Sequence, residues 1–352
     1  MLRTPTDSVF IAVGGVGVEY GMNPAKVQPE DYIQFLLASP RQFSCTEAAR
    51  VQPAGATPAA HDAFSRLLTR LQPDPEALWQ ETRPQVQLDE GILVLDDTTL
   101  DKPYAWKVGL VGWHWSGKHH RAVKGINLLT LLWTDGDRHV PCDYRLYDKA
   151  HDGLTKNDLF AHLLRQAHQR GFHPRCVCFD SWFSGLANLK LIRSLGWTWL
   201  CRLKCNRTVR VDFKPPQAIE TVSIPEQGRM VHLPGYGLIR VFRAVATNGD
   251  AEYWATGDEQ MGALTRQQYK EFSWRIEEYH RGLKQFCGAE RCQARRAKAQ
   301  RNHIGMSLRA FVRLECHCFA TGLNWLHAKL DVIRDAVRTY LARPSILLPR
   351  CA

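Results

Sequence analysis

From Val86 onward, short apolar segments replace the three- and four-residue spacing of hydrophobic residues that is typical of helices. The predicted elements are strands at 91–95, 107–115, 126–134 and 139–147, a helix at 155–170, a strand at 176–179, a helix at 186–195 and a strand at 197–203. Several antiparallel strands followed by helix, strand, helix and strand require a mixed sheet with helices packed against it. The sequence therefore predicts an α/β fold.

Helices are predicted on both sides of this core. Residues from Pro29 to about Gln80 form short helices separated by prolines, and 1–22 is an appendage in which Met22 is a candidate natural start. A β-rich insertion begins at Arg207, and a strand at 252–256, a long helix at 264–286 and further helices follow it. The expected division is 1–85 N-terminal helical, 86–206 first part of the core, 207–250 insertion, 251–290 second part of the core, and 291–352 basic and helical.

Composition excludes several classes of protein. The longest apolar run, Ile126 to Trp133, is too short to cross a bilayer, and 10–18 lacks the layout of a signal peptide. The eleven cysteines are odd in number and poorly spaced for zinc, so we expect reduced thiols packed as small apolar residues. These features predict a soluble intracellular protein with no membrane partner.

Positive charge is concentrated in one part of the chain. The formal net charge is +11, and the segment from Tyr279 to Arg313 has nine Lys or Arg residues against the single acid Glu290. Such a density of basic residues indicates a polyanionic partner, most simply nucleic acid. From charge alone, a solvated helix face without a partner is as good an explanation as a nucleic-acid surface.

Carboxylates stand where this architecture would bring them together. Asp96 and Asp97 are predicted to end the first core strand, Asp180 ends the short strand at 176–179, and Glu277 lies in the long helix. Singly, each has an ordinary explanation as a turn cap, a helix cap or a surface charge. Together they predict a cluster whose mutual repulsion is best relieved by hard divalent cations such as Mg²⁺.

Three segments resemble the acidic motifs of bacterial insertion-sequence DDE transposases. They are 95–99 (LDDTT), 178–183 (CFDSWF) and 274–284 (WRIEEYHRGLK), and the resemblance spans about residues 90 to 290. Within that family, the segments most resemble the branch with a β-rich insertion between the second Asp and the Glu. The third motif of that family reads Tyr-x-x-Arg-x-x-x-Glu-x-x-x-x-x-x-Lys. Glu277 and Lys284 fit its second half, whereas Lys270 and Ser273 stand in place of its tyrosine and arginine.

The resemblance leaves the first acid open between Asp96 and Asp97, because Asp96-x-Thr98 and Asp97-x-Thr99 both fit an Asp-x-Thr pattern, and Asp96 is favoured. Glu277 is preferred to Glu278 because Lys284 lies seven residues after it. The candidate catalytic residues are thus Asp96, Asp97, Asp180 and Glu277, and the candidate metal ligands are Asp96, Asp180 and Glu277.

By resemblance, the fold is an RNase H-like mixed sheet flanked by helices, and the activity is metal-dependent DNA cleavage and strand transfer. The cofactor would be two Mg²⁺ ions, for which Mn²⁺ can substitute. The partners would be the transposon terminal inverted repeats and target DNA, bound by a homodimer in the bacterial cytoplasm at the nucleoid. The residues expected to contact DNA are Trp274, Arg275, Arg281, Lys284, Arg295, Arg296, Lys298 and Arg301.

Two alternative functions remain open. One is an RNase H-like DNA nuclease that does not perform strand transfer, and another is an inactive transposase-derived DNA-binding protein. Trp254, in the strand after the insertion, could stack on an exposed base. A buried strand residue is the stronger expectation for it.

Overall fold

The computed structural model describes residues 24–53, 58–116, 120–212, 214–245 and 249–344. The proposed start at Met22 lies outside these residues. The helices are α1 (Pro29–Ala38), α2 (Cys45–Arg50), α3 (His61–Arg70), α4 (Glu76–Thr82), α5 (Lys149–Asp152), α6 (Lys156–Gln169), α7 (Leu186–Ser194), α8 (Ala263–Ser273), α9 (Arg275–Phe286), α10 (Ala297–Thr321) and α11 (Trp325–Ala342).

The strands belong to one nine-stranded sheet and one two-stranded sheet. They are β1 (Ile92–Asp101), β2 (Gly112–Ser116), β3 (Arg121–Thr134), β4 (Val140–Tyr147), β5 (Cys176–Phe179), β6 (Trp199–Leu203), β7 (Thr208–Val209), β8 (Gln217–Ala218), β9 (Arg229–Leu233), β10 (Gly237–Val245) and β11 (Ala251–Thr256). The main sheet has the order β2-β3-β1-β5-β6-β11-β10-β9, and β4 also pairs with β3.

The core of the main sheet has the RNase H-like arrangement expected from the sequence. β1, β3 and β4 pair antiparallel, whereas β5 and β6 run parallel to β1. The parallel strands are connected through α6 and α7, as parallel pairing requires. The mixed sheet flanked by helices is therefore confirmed.

Alternation along β1 sends its side chains to two separate cores. Val94 packs in the core formed with α1, α9 and α10, while Leu93 and Leu95 pack in the core formed with α6 and α7. Successive residues of a strand point to opposite faces. Asp96 therefore belongs to the α9 face, and Asp97 to the α6 face.

The first strand is longer than predicted. β1 continues to Asp101, because the long strand β3 pairs with it as far as the Asp101–Gly125 pair. The parallel partner β5 ends at Phe179, opposite Leu95. Asp96 and Asp97 thus lie inside β1, at the level where its parallel neighbour stops, and the prediction that they end the strand is wrong.

Residues 107–111 do not form the strand that was predicted for 107–115. Leu110 has a positive φ of 69°, and Gly109 N donates a hydrogen bond to Arg295 O at 2.8 Å. The backbone here is therefore held against the segment before α10 instead of pairing with β3. Only Gly112–Ser116 forms the strand, β2.

The long helix predicted over 264–286 is divided at Trp274. Ser273 Oγ donates to Lys270 O at 2.7 Å, and Glu277 N donates to Trp274 O, three residues earlier, at 3.0 Å. A serine hydroxyl that bonds back to a helix carbonyl competes with the regular ladder and bends the helix. α9 therefore begins at Arg275, and Glu277 lies in its first turn.

The β-rich segment at 207–250 is continuous with the core. β9 pairs with β10, β10 pairs with β11, and β11 pairs with β6, all antiparallel. β7 and β8 form the separate two-stranded sheet. Half of the predicted insertion thus extends the main sheet, and its strands share the core on the α6 face.

The N-terminal helices are attached to α10 by buried polar groups. Asn302 Nδ2 donates to Leu68 O and Leu71 O at the end of α3, at 2.9 and 2.8 Å. His303 bonds through its ring to the hydroxyl of Tyr32 in α1, and burial lowers the pKa of this histidine to about 4. The imidazole is therefore a neutral structural group at physiological pH.

Ten described cysteines are free thiols, seven of them buried. Within the described residues, no helix combines the length and hydrophobicity that a membrane span requires.

A buried lysine on α11 holds the end of α1. Lys329 Nζ donates to the carbonyl oxygens of Leu36, Leu37 and Ser39, and burial lowers its pKa to about 8. We expect Lys329→Met to lower the free energy of unfolding by about 2 kcal/mol, because buried carbonyls lose their donor. Urea unfolding measures this loss. The exposed Lys26→Met is the control, and an equal effect of both variants would contradict the assignment.

Candidate active site

Asp96 and Asp180 lie at the edge where parallel pairing ends. The last pair of β1 and β5 is Leu95 with Phe179, so the next residues, Asp96 and Asp180, emerge at the same level. Asp180 caps the short 3₁₀ helix Ser181–Phe183, with Oδ1 accepting a hydrogen bond from Trp182 N at 2.8 Å. The cap fixes one oxygen of this carboxylate and leaves the group accessible to solvent.

α9 brings Glu277 over the Asp96 face of the sheet. Ile276, Tyr279 and Leu283 are buried on the core side of the helix. The hydroxyl of Tyr279 lies 3.3 Å from Thr130 Oγ1, and Thr130 is the direct partner of Asp96 in the β1–β3 ladder. This contact sets the height of α9 above Asp96, with Glu277 exposed in the first turn.

Asp97 faces the other side of the sheet and is paired with a lysine there. Its Oδ2 accepts hydrogen bonds from Lys156 Nζ at 2.7 Å and from Asn127 Nδ2 at 2.5 Å. Lys156 is the first residue of α6, where a cation is unfavourable for the helix dipole unless an acid compensates it. Asp97 therefore supports α6, and Asp96 is the aspartate that lies on the α9 face.

The carboxylates affect one another electrostatically. Burial raises the pKa of Asp96 well above its ordinary value, and the carboxylates of Asp97, Asp180 and Glu277 raise it further. Desolvation by the surrounding protein also raises the pKa of Asp180 and of Glu277, although Lys284 and Arg281 oppose the rise at Glu277. The cluster therefore carries unrelieved repulsion between like charges.

The donor chemistry of this cluster suits a hard divalent cation. Carboxylate oxygens are the ligands that Mg²⁺ prefers, and a bound cation would relieve the repulsion that raises these pKa values. Within the described residues, however, no three His, Cys, Asp or Glu side chains are grouped closely enough to hold a metal ion. Asp96, Asp180 and Glu277 converge electrostatically but require side-chain rearrangement to share one ion.

Glu278 belongs to a different network. Its Oε2 accepts from Arg275 at 2.7 Å and lies 3.1 Å from His139 Nε2. His139 Nδ1 lies 2.8 Å from Glu315 of α10. This chain of contacts borders a cavity of about 670 Å³ that Arg281 also lines. Arg275 is thus engaged in holding α9, and Glu278 points away from Asp96.

The predicted DNA-contacting residues differ in their availability. Trp274, Arg281, Arg295 and Arg296 are exposed. Lys284 Nζ donates to Thr99 O at 2.8 Å and lies 3.4 Å from Glu290. It therefore sits beside β1 near the acids, on the side of α9 that Glu277 also occupies.

Part of the basic tract has structural partners. Arg301 lies 3.4 Å from Asp148 and 3.5 Å from Asp152, and Lys298 Nζ contacts Arg70 O at 3.4 Å. Further along α10, Arg309 and Arg313 both pair with Glu81 of α4. The exposed cations of this tract are Arg281, Arg291, Arg295 and Arg296.

A family model for DDE superfamily endonucleases matches residues 25–282, well over half of the chain. The chain belongs to this family. The match ends within α9, just after Glu277 and Arg281. No curated protein matches the chain.

Two solved structures are similar to this DDE superfamily endonuclease. One is the cryo-EM structure of a piggyBac transposase synaptic complex with hairpin DNA, with 11% identity and a TM-score of 0.48 over 90% of this chain and 72% of that chain. The other is the crystal structure of the Mos1 strand transfer complex, with 14% identity and a TM-score of 0.19 over 51% of this chain and 59% of that chain.

Sequence reasoning missed Lys156 and Asn127, the partners of Asp97. A lysine at the first position of a helix, directly after the Thr155 cap, was an available signal because the helix dipole disfavours it. Asn127 gave no local signal, since its role depends on the pairing of β3 with β1. Trp182, directly after Asp180 in sequence, is 56% exposed and borders the same edge.

Lys270, at the position where the related motif has tyrosine, holds α8 to the sheet. Its Nζ donates to Glu252 Oε2 at 2.8 Å, and Arg202 donates to the other oxygen at 2.9 Å. Trp254 is buried, donates to Glu252 at 3.0 Å, and lies under Lys270. The expectation that Trp254 is a buried strand residue is therefore confirmed, and Lys270 lies over its ring.

This network makes stability depend on pH. Desolvation opposes ionisation of Glu252, but its hydrogen bonds and the two cations lower its pKa from 4.5 to about 2. A lowered pKa stabilises the fold above about pH 4.5, and this contribution is lost as the pH falls towards 2. We expect Glu252→Gln to lower the free energy of unfolding by about 2 kcal/mol at pH 7, and by progressively less as the pH falls from 4.5 towards 2. Urea unfolding across this range, with the exposed Glu271→Gln as control, measures the change, and a pH-independent difference would contradict it.

Proposed function

We propose that this chain is a DNA transposase that uses Asp96, Asp180 and Glu277 to cleave DNA at transposon ends and to join them to target DNA. The observation that carries the proposal is that Asp96 and Asp180 follow the last parallel pair of β1 and β5, with Glu277 near enough to raise the pKa of Asp96 and with Asp97 paired with Lys156 on the opposite face. Membership of the DDE superfamily endonucleases supports the cleavage step.

The proposed cofactor is Mg²⁺, as two ions, with Mn²⁺ as a substitute. Asp96, Asp180 and Glu277 would hold the ions, which would supply activation of the attacking oxygen and stabilisation of the leaving 3′ oxygen. The residues themselves orient the site. The Trp182 amide fixes Asp180, the β1–β3 ladder fixes Asp96, and the Tyr279–Thr130 contact fixes the helix that carries Glu277.

The proposed partner is double-stranded DNA, as terminal inverted repeats and as target. Arg281 and Lys284 lie close enough to Glu277 to oppose the rise in its pKa, and Arg295 and Arg296 are exposed further along the chain. Lysine and arginine contacts to phosphate position DNA without reading its sequence. We assign recognition of the ends to the N-terminal helices within 1–85, and synapsis of two ends to a homodimer.

The origin proposed from the sequence is a bacterial insertion sequence, with the protein acting at the nucleoid in the cytoplasm. Strands β9 and β10 lie between Asp180 and Glu277 in the chain, which supports the branch that has a β-rich insertion there.

A DNA nuclease without strand transfer is the second candidate. The matching family is described as an endonuclease superfamily, and endonuclease cleavage does not require the joining of DNA ends. Covalent joining of a labelled DNA end to a target plasmid favours the transposase, whereas cleavage without joined products favours the nuclease.

We expect Asp180→Asn and Glu277→Gln each to reduce nicking of supercoiled plasmid by Mg²⁺ or Mn²⁺ at least about 100-fold, since each removes a charged metal ligand. DNA binding, measured by fluorescence anisotropy, is expected to change less than about threefold because the basic residues are intact. Agarose gels of the plasmid give the nicking rate.

The matched control is Glu278→Gln, which alters the neighbouring acid of the same helix. It is expected to retain most of the nicking activity, because Glu278 is bound to Arg275 and His139. Equal loss in Glu278→Gln and Glu277→Gln, or unchanged nicking in Asp180→Asn, would refute the assignment. If neither the wild type nor any variant nicks the plasmid, but all of them bind DNA, the inactive DNA-binding alternative is favoured.

A further inference from the structure

Two tryptophans point outward from the edge strand β2. Trp113 and Trp115 are 72% and 65% exposed, while His114 between them is buried and lies edge-on to the ring of Tyr147. The strand is therefore anchored by its inward residue and presents two large rings to solvent. Exposed aromatic clusters of this kind mark binding surfaces rather than ordinary protein surface.

The loop before β2 adds two more exposed rings. Tyr104 and Trp106 are 90% and 89% exposed. The loop is held at both ends, by Lys102 Nζ donating to Glu290 O and Cys292 O and by the bond from Gly109 N to Arg295 O. These rings are thus exposed on an anchored loop.

Lys124 connects the loop to the strand. It is the direct partner of Trp113 in the β2–β3 ladder, and its Nζ lies 4.9 Å from the centre of the Trp106 ring. We call Tyr104, Trp106, Trp113 and Trp115 the aromatic patch.

The surroundings of the aromatic patch are strongly basic. Residues 102–125 include five Lys or Arg and no Asp or Glu. Lys107 and Arg121 are exposed, and the Gly109–Arg295 hydrogen bond brings the exposed Arg295 and Arg296 against the same loop. Aromatic rings among cations favour a ligand that offers both flat apolar groups and negative charge.

The aromatic patch lies on the same sheet face as Asp96. Lys124 and Thr130 are six residues apart on β3, so their side chains lie on the same face of the sheet. Lys124 pairs with Trp113, and Thr130 pairs with Asp96. Six residues of strand correspond to about 20 Å, which is about the length of six nucleotides in one DNA strand. Ile126 and Leu128, which lie between these two residues on the same face, are buried in the core formed with α9 and α10, so DNA that extends from the acids would pass over these helices to reach the aromatic patch.

We propose that the aromatic patch stacks on unpaired bases of DNA that extends from the acidic site, while Lys107, Arg121 and Lys124 bind its phosphates. This inference rests on the proposed function for the identity of the substrate as DNA. Duplex DNA hides its base faces, so only an unpaired segment offers rings for stacking. A second copy of the chain fits less well, because a symmetric contact would bring the same cations together.

The test measures the affinity of the full chain for an oligothymidylate of about 20 nucleotides and for duplex DNA of the same length. We expect Trp113→Ala/Trp115→Ala to bind the oligothymidylate about 10- to 100-fold more weakly, and the duplex within about threefold of wild type. Trp113→Phe/Trp115→Phe should restore most of the affinity, whereas Trp113→Leu/Trp115→Leu should not. Phe319→Ala, an exposed aromatic on α10, is the control.

Unchanged oligothymidylate affinity in the alanine variant would overturn the inference, as would full rescue by leucine. If light scattering shows that the wild type is a dimer and the alanine variant a monomer, and the affinity for the oligothymidylate is unchanged, the aromatic patch is a protein interface instead. Plasmid nicking by the wild type separates the two proposals. If the wild type does not nick plasmid but the alanine variant binds the oligothymidylate more weakly, only the proposed function is refuted. If the wild type nicks plasmid but the alanine variant keeps its affinity for the oligothymidylate, only the stacking surface is refuted.

Discussion

The arrangement of the candidate site depends on the unequal pairing of one strand. β1 is paired along its whole length by β3, but its other neighbour, β5, stops opposite Leu95. Beyond that level β1 has an open side, and alternation directs Asp96 to the face covered by α9 and Asp97 to the face covered by α6. Two adjacent acids thus experience different surroundings, one with further carboxylates nearby and one with a lysine.

The third acid is fixed by contacts that prevent α9 from rotating. Tyr279 meets Thr130 on the sheet side, and Glu278 is held by Arg275 and His139 on the other. The break at Trp274 allows α9 to take a direction different from α8, which Lys270 attaches to the insertion side through Glu252. Repulsion among the acids is therefore maintained by the packing around them, which is the arrangement expected of a site that binds cations.

The features that could be predicted from the sequence are those with local signals. The apolar segments predict the order of the core elements, and the seven-residue spacing of Glu277 and Lys284 predicts that both side chains lie on one side of α9. The extent of β1, the irregular backbone at 107–111 and the pairing of Arg301 with Asp148 all depend on residues distant in the chain. Hydrophobic periodicity carries no information about such partners, so these features were missed. The sequence favoured Asp96 over Asp97, but it could not show that α9 covers the face of Asp96 and α6 the face of Asp97.

The most direct test of this account compares Asp96→Asn with Asp97→Asn in plasmid nicking with Mg²⁺ or Mn²⁺. Both variants remove one negative charge from adjacent residues of the same strand, so a general electrostatic effect would act on them alike. The face assignment predicts that Asp96→Asn loses activity by about 100-fold or more. It predicts that Asp97→Asn retains activity within about tenfold while losing stability through Lys156. Loss of nicking in Asp97→Asn with normal nicking in Asp96→Asn would contradict it.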